Sequence, residues 1–121
     1  EHEARVSLKD FNSGLVKITM DLMKETGTEN LILTLNKEGI LIQGGKKYNY
    51  KTDNLPSLSP TALDPSGSGD AFLITSSMAM VVGSSLWEAA YLGSIAAALQ
   101  VQTIGNIPLK FNDLINEINE L

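Results

Sequence analysis

The stretch Asp64-Pro65-Ser66-Gly67-Ser68-Gly69-Asp70-Ala71-Phe72 constrains this chain more than any other. Two glycines and two serines lie between two carboxylates, and an apolar, helix-like segment follows at once. Glycine lets successive backbone N–H groups turn toward one point, which makes a cradle for an anion. The first turn of the following helix adds unpaired N–H groups and the positive end of its dipole. Gly67 and Gly69 are expected to supply positive backbone angles and close approach. Asp70 then stands where a phosphate would be held, and a carboxylate there repels phosphate. A chemical role explains it best: a base that takes the proton from a hydroxyl attacking a phosphoryl group. The plainer alternative is a strand-to-helix turn, with Asp70 favoured in the first turn by the helix dipole.

The string resembles the C-terminal signature of the ribokinase-like, phosphofructokinase B-type carbohydrate kinases, close to Asp-Thr-x-Gly-Ala-Gly-Asp-x-Phe. Asp64, Gly67, Gly69, Asp70 and Phe72 match; Pro65 replaces Thr, Ser68 replaces Ala, and Ile74 stands where a small residue is usual. The resemblance implies an α/β chain, the C-terminal part of a three-layer sandwich with a mostly parallel sheet. It implies that residues 1–121 are the ATP-binding and catalytic portion of a kinase domain, without its N-terminal substrate-binding part. Asp70 would be the base, and the N–H groups of Gly67, Ser68, Gly69 and Asp70 would stabilise the transferring phosphoryl. ATP and Mg²⁺ are the implied cofactors, with K⁺ as a further candidate.

Composition bounds the other classes. The chain has 121 residues, 43% of them hydrophobic, enough for one compact domain. It has no cysteine, hence no disulfide framework and no thiolate metal site. There is no apolar run of spanning length and no signal-peptide pattern, so a cytoplasmic protein without a membrane partner is expected. Net charge is −5, and no basic cluster exceeds Lys46-Lys47, which argues against nucleic acid. The first residue is Glu1, not Met, so a piece of a longer chain is expected.

Along the chain, residues 3–9 read as one or two helical turns. Asn12 or Ser13 is positioned to cap a helix to about Glu25, with Leu15, Ile18, Leu22 and Met23 on one face. Residues 31–35 form a continuous apolar run, read as a buried parallel strand. Gly39 to Gln43 and Tyr48 to Thr52 flank a glycine–lysine turn and read as a hairpin. Residues 53–63 read as a loop. Helices are expected from Gly69 to about Val82, from Leu86 to about Gln102 behind a Ser85/Glu88 capping box, and from Phe111 to Leu121.

Further residues carry expectations from the resemblance. Thr34-Leu35-Asn36-Lys37-Glu38-Gly39 is similar to the family's Thr-x-Gly-x-x-Gly segment beside the nucleotide phosphates, so Thr34, Asn36, Lys37 and Gly39 are candidate cofactor contacts. Asn36 replaces a glycine but tolerates left-handed angles. An ordinary turn with a solvated Lys37 is the alternative. Glu3 in Glu1-His2-Glu3-Ala4-Arg5 looks like the Glu of a family motif that organises Mg²⁺ through water; a charged helix start is the alternative. Gly93 and Ala97 lie four apart on a helix that in the family runs beside adenine, and are the candidate nucleotide contacts. Tight helix packing is the other reading. Asp64 is a candidate ligand for a monovalent cation with carbonyls of the Gly105 loop, although Leu109 replaces the usual hydroxyl residue; a turn-holding role is the alternative.

The segment Ser84–Leu121 looks most like the heptose-phosphate kinase branch, which includes domains fused to nucleotidyltransferases. A sugar or sugar phosphate is the implied partner. A homodimer is a possible arrangement, through an exposed sheet edge and the apolar side of 69–82. The rival reading is a nucleotide- or anion-binding regulatory module without turnover.

Overall fold

A computed structural model describes residues 1–49, 51–59, 61 and 63–120. The elements run α1 (His2–Leu8), α2 (Leu15–Thr26), β1 (Leu31–Thr34), a 3₁₀ turn (Asn36–Glu38), β2 (Ile40–Gln43), β3 (Thr52–Leu55), α3 (Ser68–Val81), α4 (Leu86–Gln100) and α5 (Phe111–Glu120). They fall into two compact units, Glu1–Pro56 and Ser57–Leu121, where composition alone suggested one. Among the described residues, no helix is long and apolar enough to cross a membrane. Pro60, in the expected 53–63 loop, and Leu121, at the expected end of the last helix, lie outside the described residues.

In the first unit, α1 and α2 bury Ala4 and Ile18 against Leu33 and Leu41, with Leu8, Leu15, Leu22, Leu31 and Leu35 around them. The apolar spacing of α2 thus becomes the face it buries. Its start differs from expectation: the N-cap is Gly14, and no side chain caps it. The N–H groups of Asn12 and Ser13 instead donate to Asp10 Oδ1, at 3.1 and 3.0 Å, which makes them part of the turn before the helix. Arg5 fastens that turn, donating from its guanidinium to the Ser13 carbonyl at 2.8 Å.

The strands form one sheet in the order β1-β2-β3, antiparallel throughout. The run 31–35 was expected to be a parallel strand. Instead β1 pairs with β2 from Leu31 opposite Gln43 to Thr34 opposite Ile40. The reason is the tight connection: a parallel neighbour needs a crossover of roughly a dozen residues or more, and the turn 35–39 leads straight back. Among the described residues, no strand pairs with β1 in parallel. The mostly parallel sheet is therefore not seen, while the α/β character is. The second hairpin exists, but its outer strand is Thr52–Leu55 rather than 48–52. Gln43 pairs with Thr52, and the Thr52 hydroxyl donates to the Gln43 side-chain carbonyl at 2.7 Å.

In the second unit, α4 starts at the expected capping box: the Glu88 N–H donates to Ser85 Oγ, and the Ser85 N–H to Glu88 Oε2. Helices α3 and α4 pack closely along Phe72, Ser76 and Ala79 on one side and Ala89, Gly93 and Ala96 on the other. α5 lies on α4. α3 is apolar nearly all round, yet Leu73, Ile74, Met78 and Val81 of that helix are exposed.

Candidate functional site

The glycine-rich stretch is a turn that delivers the chain into α3. Pro65 to Ser68 closes a β-turn, in which the Ser68 N–H donates to the Pro65 carbonyl at 3.2 Å. Gly67, its third residue, has φ 76° and ψ −4°, the angles of a type II turn at that place. A side chain there would be strained, and its Cβ would run into the Asn106 carboxamide. Gly67 is also the N-cap of α3, and its carbonyl accepts the first helical bond, from the Ala71 N–H at 2.9 Å.

The N–H groups at this helix start divide into two kinds. That of Ser68 is spent on Pro65 within the turn, so it is not part of an open cradle as expected. Among the described residues, those of Gly67, Gly69 and Asp70 meet no protein acceptor. The three remaining donors sit at the positive end of a 14-residue helix. Gly69 differs from expectation too. It has ordinary helical angles, not positive φ, and nothing lies within 4 Å of where a Cβ would stand. Its value is clearance: the backbone there is open to close approach. The Asp70 carboxylate is exposed in the same first turn and makes no hydrogen bond or ion pair among the described residues.

Asp64 braces the turn from below. One carboxylate oxygen accepts from the Ser66 N–H and the other from the Gly105 N–H, both at 2.9 Å. Hydrogen bonding from Ser66, then from Gly105, holds its carboxyl below the usual range. The Leu63 and Asp64 N–H groups both donate to the Val101 carbonyl, at 2.8 and 3.2 Å. The segment after α4 is thereby tied to the turn before α3.

The remaining candidates are placed separately. Thr34, Asn36, Lys37 and Gly39 come together at the β1–β2 connection of the first unit. Asn36 takes the left-handed angle anticipated for it, φ 53°. Gly39 has φ 98° and ψ −126°, a region only glycine occupies comfortably. Lys37 is exposed. Glu3 lies in the first turn of α1 with its side chain 93% exposed. Gly93 is buried with Phe72 across it; an added Cβ would stand 3.0 Å from the Phe72 ring and carbonyl. The packing alternative therefore describes Gly93, and Ala97 is half-buried one turn on. Among the described residues, no group of three His, Asp or Glu is placed to hold a metal ion. Sequence reasoning did not single out Asn106 or Gln100; the visible signal for Gln100 was a polar residue closing an otherwise apolar helix.

No protein-family model matches the chain. Curated relatives do. The bifunctional protein HldE of Paramagnetospirillum magneticum is 27% identical over 114 residues, covering 94% of this chain and 23% of the relative. An uncharacterized sugar kinase of Buchnera aphidicola is 30% identical over 98 residues, 81% of this chain and 30% of the relative. The crystal structure of ribokinase from Thermotoga maritima superposes with a TM-score of 0.76 at 23% identity, over 98% of this chain and 39% of that one. The fold is ribokinase-like. Phosphofructokinase-2 from Escherichia coli, in complex with potassium, agrees: its TM-score is 0.82 at 12% identity, over 99% of this chain and 38% of that one. The family resemblance carried by Asp64 to Phe72 is thus matched in sequence by HldE and sugar-kinase relatives, and in fold by ribokinase-like structures. This ribokinase-like chain spans about a quarter of the length of the curated relatives it matches.

Proposed function

We propose that this chain is the ATP-binding and catalytic portion of a carbohydrate kinase, which transfers the γ-phosphoryl group of ATP to a hydroxyl of a sugar or sugar phosphate. Asp70 takes the hydroxyl proton as the oxygen–phosphorus bond forms and the bond to the β-phosphate oxygen breaks, releasing ADP. The N–H groups of Gly67, Gly69 and Asp70 meet the negative charge that builds on the transferring group. The observation that carries this reading is their coincidence: three donors without protein acceptors and an unpartnered carboxylate share one open helix start. A carboxylate there works against anion binding alone, so a proton-transfer role favours an enzyme over a passive anion site.

The donor set fits Mg²⁺ held mainly by phosphate and water oxygens, since no three carboxylates converge among the described residues. When bound, Mg²⁺ would bridge phosphates and offset their charge; Glu3 is our candidate for its water shell, and Thr34, Asn36, Lys37, Gly39 and Ala97 for the nucleotide. Asp64 fits a monovalent cation poorly. Each of its oxygens already accepts a backbone N–H, and Leu109 offers no hydroxyl. We assign it to holding the turn. The substrate class we favour is a heptose phosphate, from the resemblance of the 84–121 segment, with the cytoplasm as the compartment that supplies ATP.

Asp70→Asn in the full-length protein tests the reading. It should lower kcat by at least about a hundredfold, the usual reach of general base catalysis. ATP affinity should hold or improve, because a repelling charge is gone. A nearly normal kcat removes Asp70 from the role. Nucleotide binding with no phosphorylation of any sugar phosphate by the unaltered protein favours the regulatory module instead.

A further inference from the structure

One buried polar side chain of the second unit has no part in the chemistry proposed above. Gln100, the last residue of α4, is only 4% exposed. Its Nε2 donates to the Ile107 carbonyl at 3.0 Å. Burying a carboxamide is costly unless it is bonded, so this contact fixes where residue 107 must lie. The Ile107 N–H in turn donates to the Gly105 carbonyl at 2.9 Å, a three-residue turn that makes 105–107 one rigid piece. That piece meets the start of α3 twice. The Gly105 N–H donates to Asp64 Oδ2, and the Asn106 side chain fills the space beside Gly67.

We infer that Gln100 is a positioning residue for the anion-binding N–H groups of α3, acting through the Gly105–Ile107 turn. Residues 105–107 are otherwise exposed and lie beyond the end of a helix, where little else restrains them. With the Gln100 bond in place, Asn106 stands against Gly67 and Asp64 is pulled toward Gly105. Gly67 and Asp64 then hold the 64–67 turn from two sides, and the N–H groups of Gly67, Gly69 and Asp70 keep a common aim. Without it, the turn before α3 loses its backing, and the three donors lose their alignment on a phosphate. Gln100 itself touches no ligand in this account.

The inference rests on the anion-binding reading of the α3 start, and the test separates the two. Gln100→Met keeps the length and bulk of the side chain and removes the donor. In the full-length protein it should weaken ATP and inorganic pyrophosphate by about tenfold, the scale of cost for a small misplacement of a positioned group. Adenosine should bind as before, and KM for the sugar acceptor should not move. A merely structural role would weaken all these ligands together or lower the melting temperature alone. Either result overturns the inference, as does unchanged pyrophosphate affinity. If Gln100→Met does not fold, Asp64→Asn loosens the same turn from its other side by setting an amide N–H₂ against the Gly105 N–H. The same split between pyrophosphate and adenosine is then expected, and its absence overturns the proposal. Failure of the underlying reading looks different: the unaltered protein would not bind pyrophosphate at all.

Discussion

The two units solve the problem of burying apolar surface in different ways. In Glu1–Pro56, α2 has one apolar face, and Ile18 at its centre is completely buried. In Ser57–Leu121, α3 is apolar nearly all round and packs on α4 along one side only, leaving Leu73, Ile74 and Met78 60–65% exposed. A helix apolar on all sides is ordinarily buried on all sides. The contrast teaches that the first unit has a sequence matched to its own small core. The second has a sequence matched to surroundings larger than these 121 residues, in keeping with a chain that spans about a quarter of its curated relatives.

Truncation separates the two most sharply. Ile18→Ala should cost about 2–5 kcal/mol in the 121-residue chain, as expected for a large-to-small change at a closed site. Leu73→Ser should change that chain's stability by no more than about 0.5 kcal/mol, the usual range for a surface position. Denaturant unfolding measures both. In the full-length protein Leu73→Ser should instead destabilise by at least about 1 kcal/mol, because burial there returns the transfer term. Equal effects of Leu73→Ser in the short and long chains would break the contrast.

A smaller effect separates the units by pH. Asp10 in the first unit is lowered from 3.8 to about 2, chiefly by hydrogen bonding from Ser13 and then from Asn12. Asp64 in the second is lowered by Ser66 and Gly105. A depressed folded pKa gives stabilisation that is present above the unfolded pKa and lost as pH falls through the folded one. For Asp10 that window lies between about 4 and 2. Following the melting temperature of the 121-residue chain across that window should give a smaller drop for Asp10→Asn than for the unaltered chain. Identical acid profiles would remove the Asp10 turn as a contributor. Both carboxylates are exposed, so the differences should be modest.

How much was legible in the sequence followed from how local the causes are. The Ser85/Glu88 box, the left-handed Asn36 and the helix behind Gly67 depend on neighbours within four residues, and all appear as read. The direction of the 31–35 strand did not, since an apolar run states burial and not the partner's direction. Thr52-Asp53-Asn54-Leu55 was hidden because Asp and Asn are poor strand formers; its place is set by pairing with Ile40 to Gln43. At the site, Asp64, Gly67, Gly69 and Asp70 were named from the motif. Their brace was not, because Asp64 and Gly105 are 41 residues apart and meet only in the fold. Ser68 was assigned an open N–H that the turn consumes, a detail decided by the angles of Gly67.

The central claim is that the start of α3 presents a particular set of donors to a phosphate. Amide chemical shifts of the full-length protein, followed while ATP is titrated in, test it residue by residue. The account predicts large downfield shifts of the Gly67, Gly69 and Asp70 amides with one shared affinity, a small shift at Ser68, whose N–H is held by Pro65, and tighter binding in Asp70→Asn. Saturation with ATP that leaves the Gly67, Gly69 and Asp70 amides unmoved would contradict it.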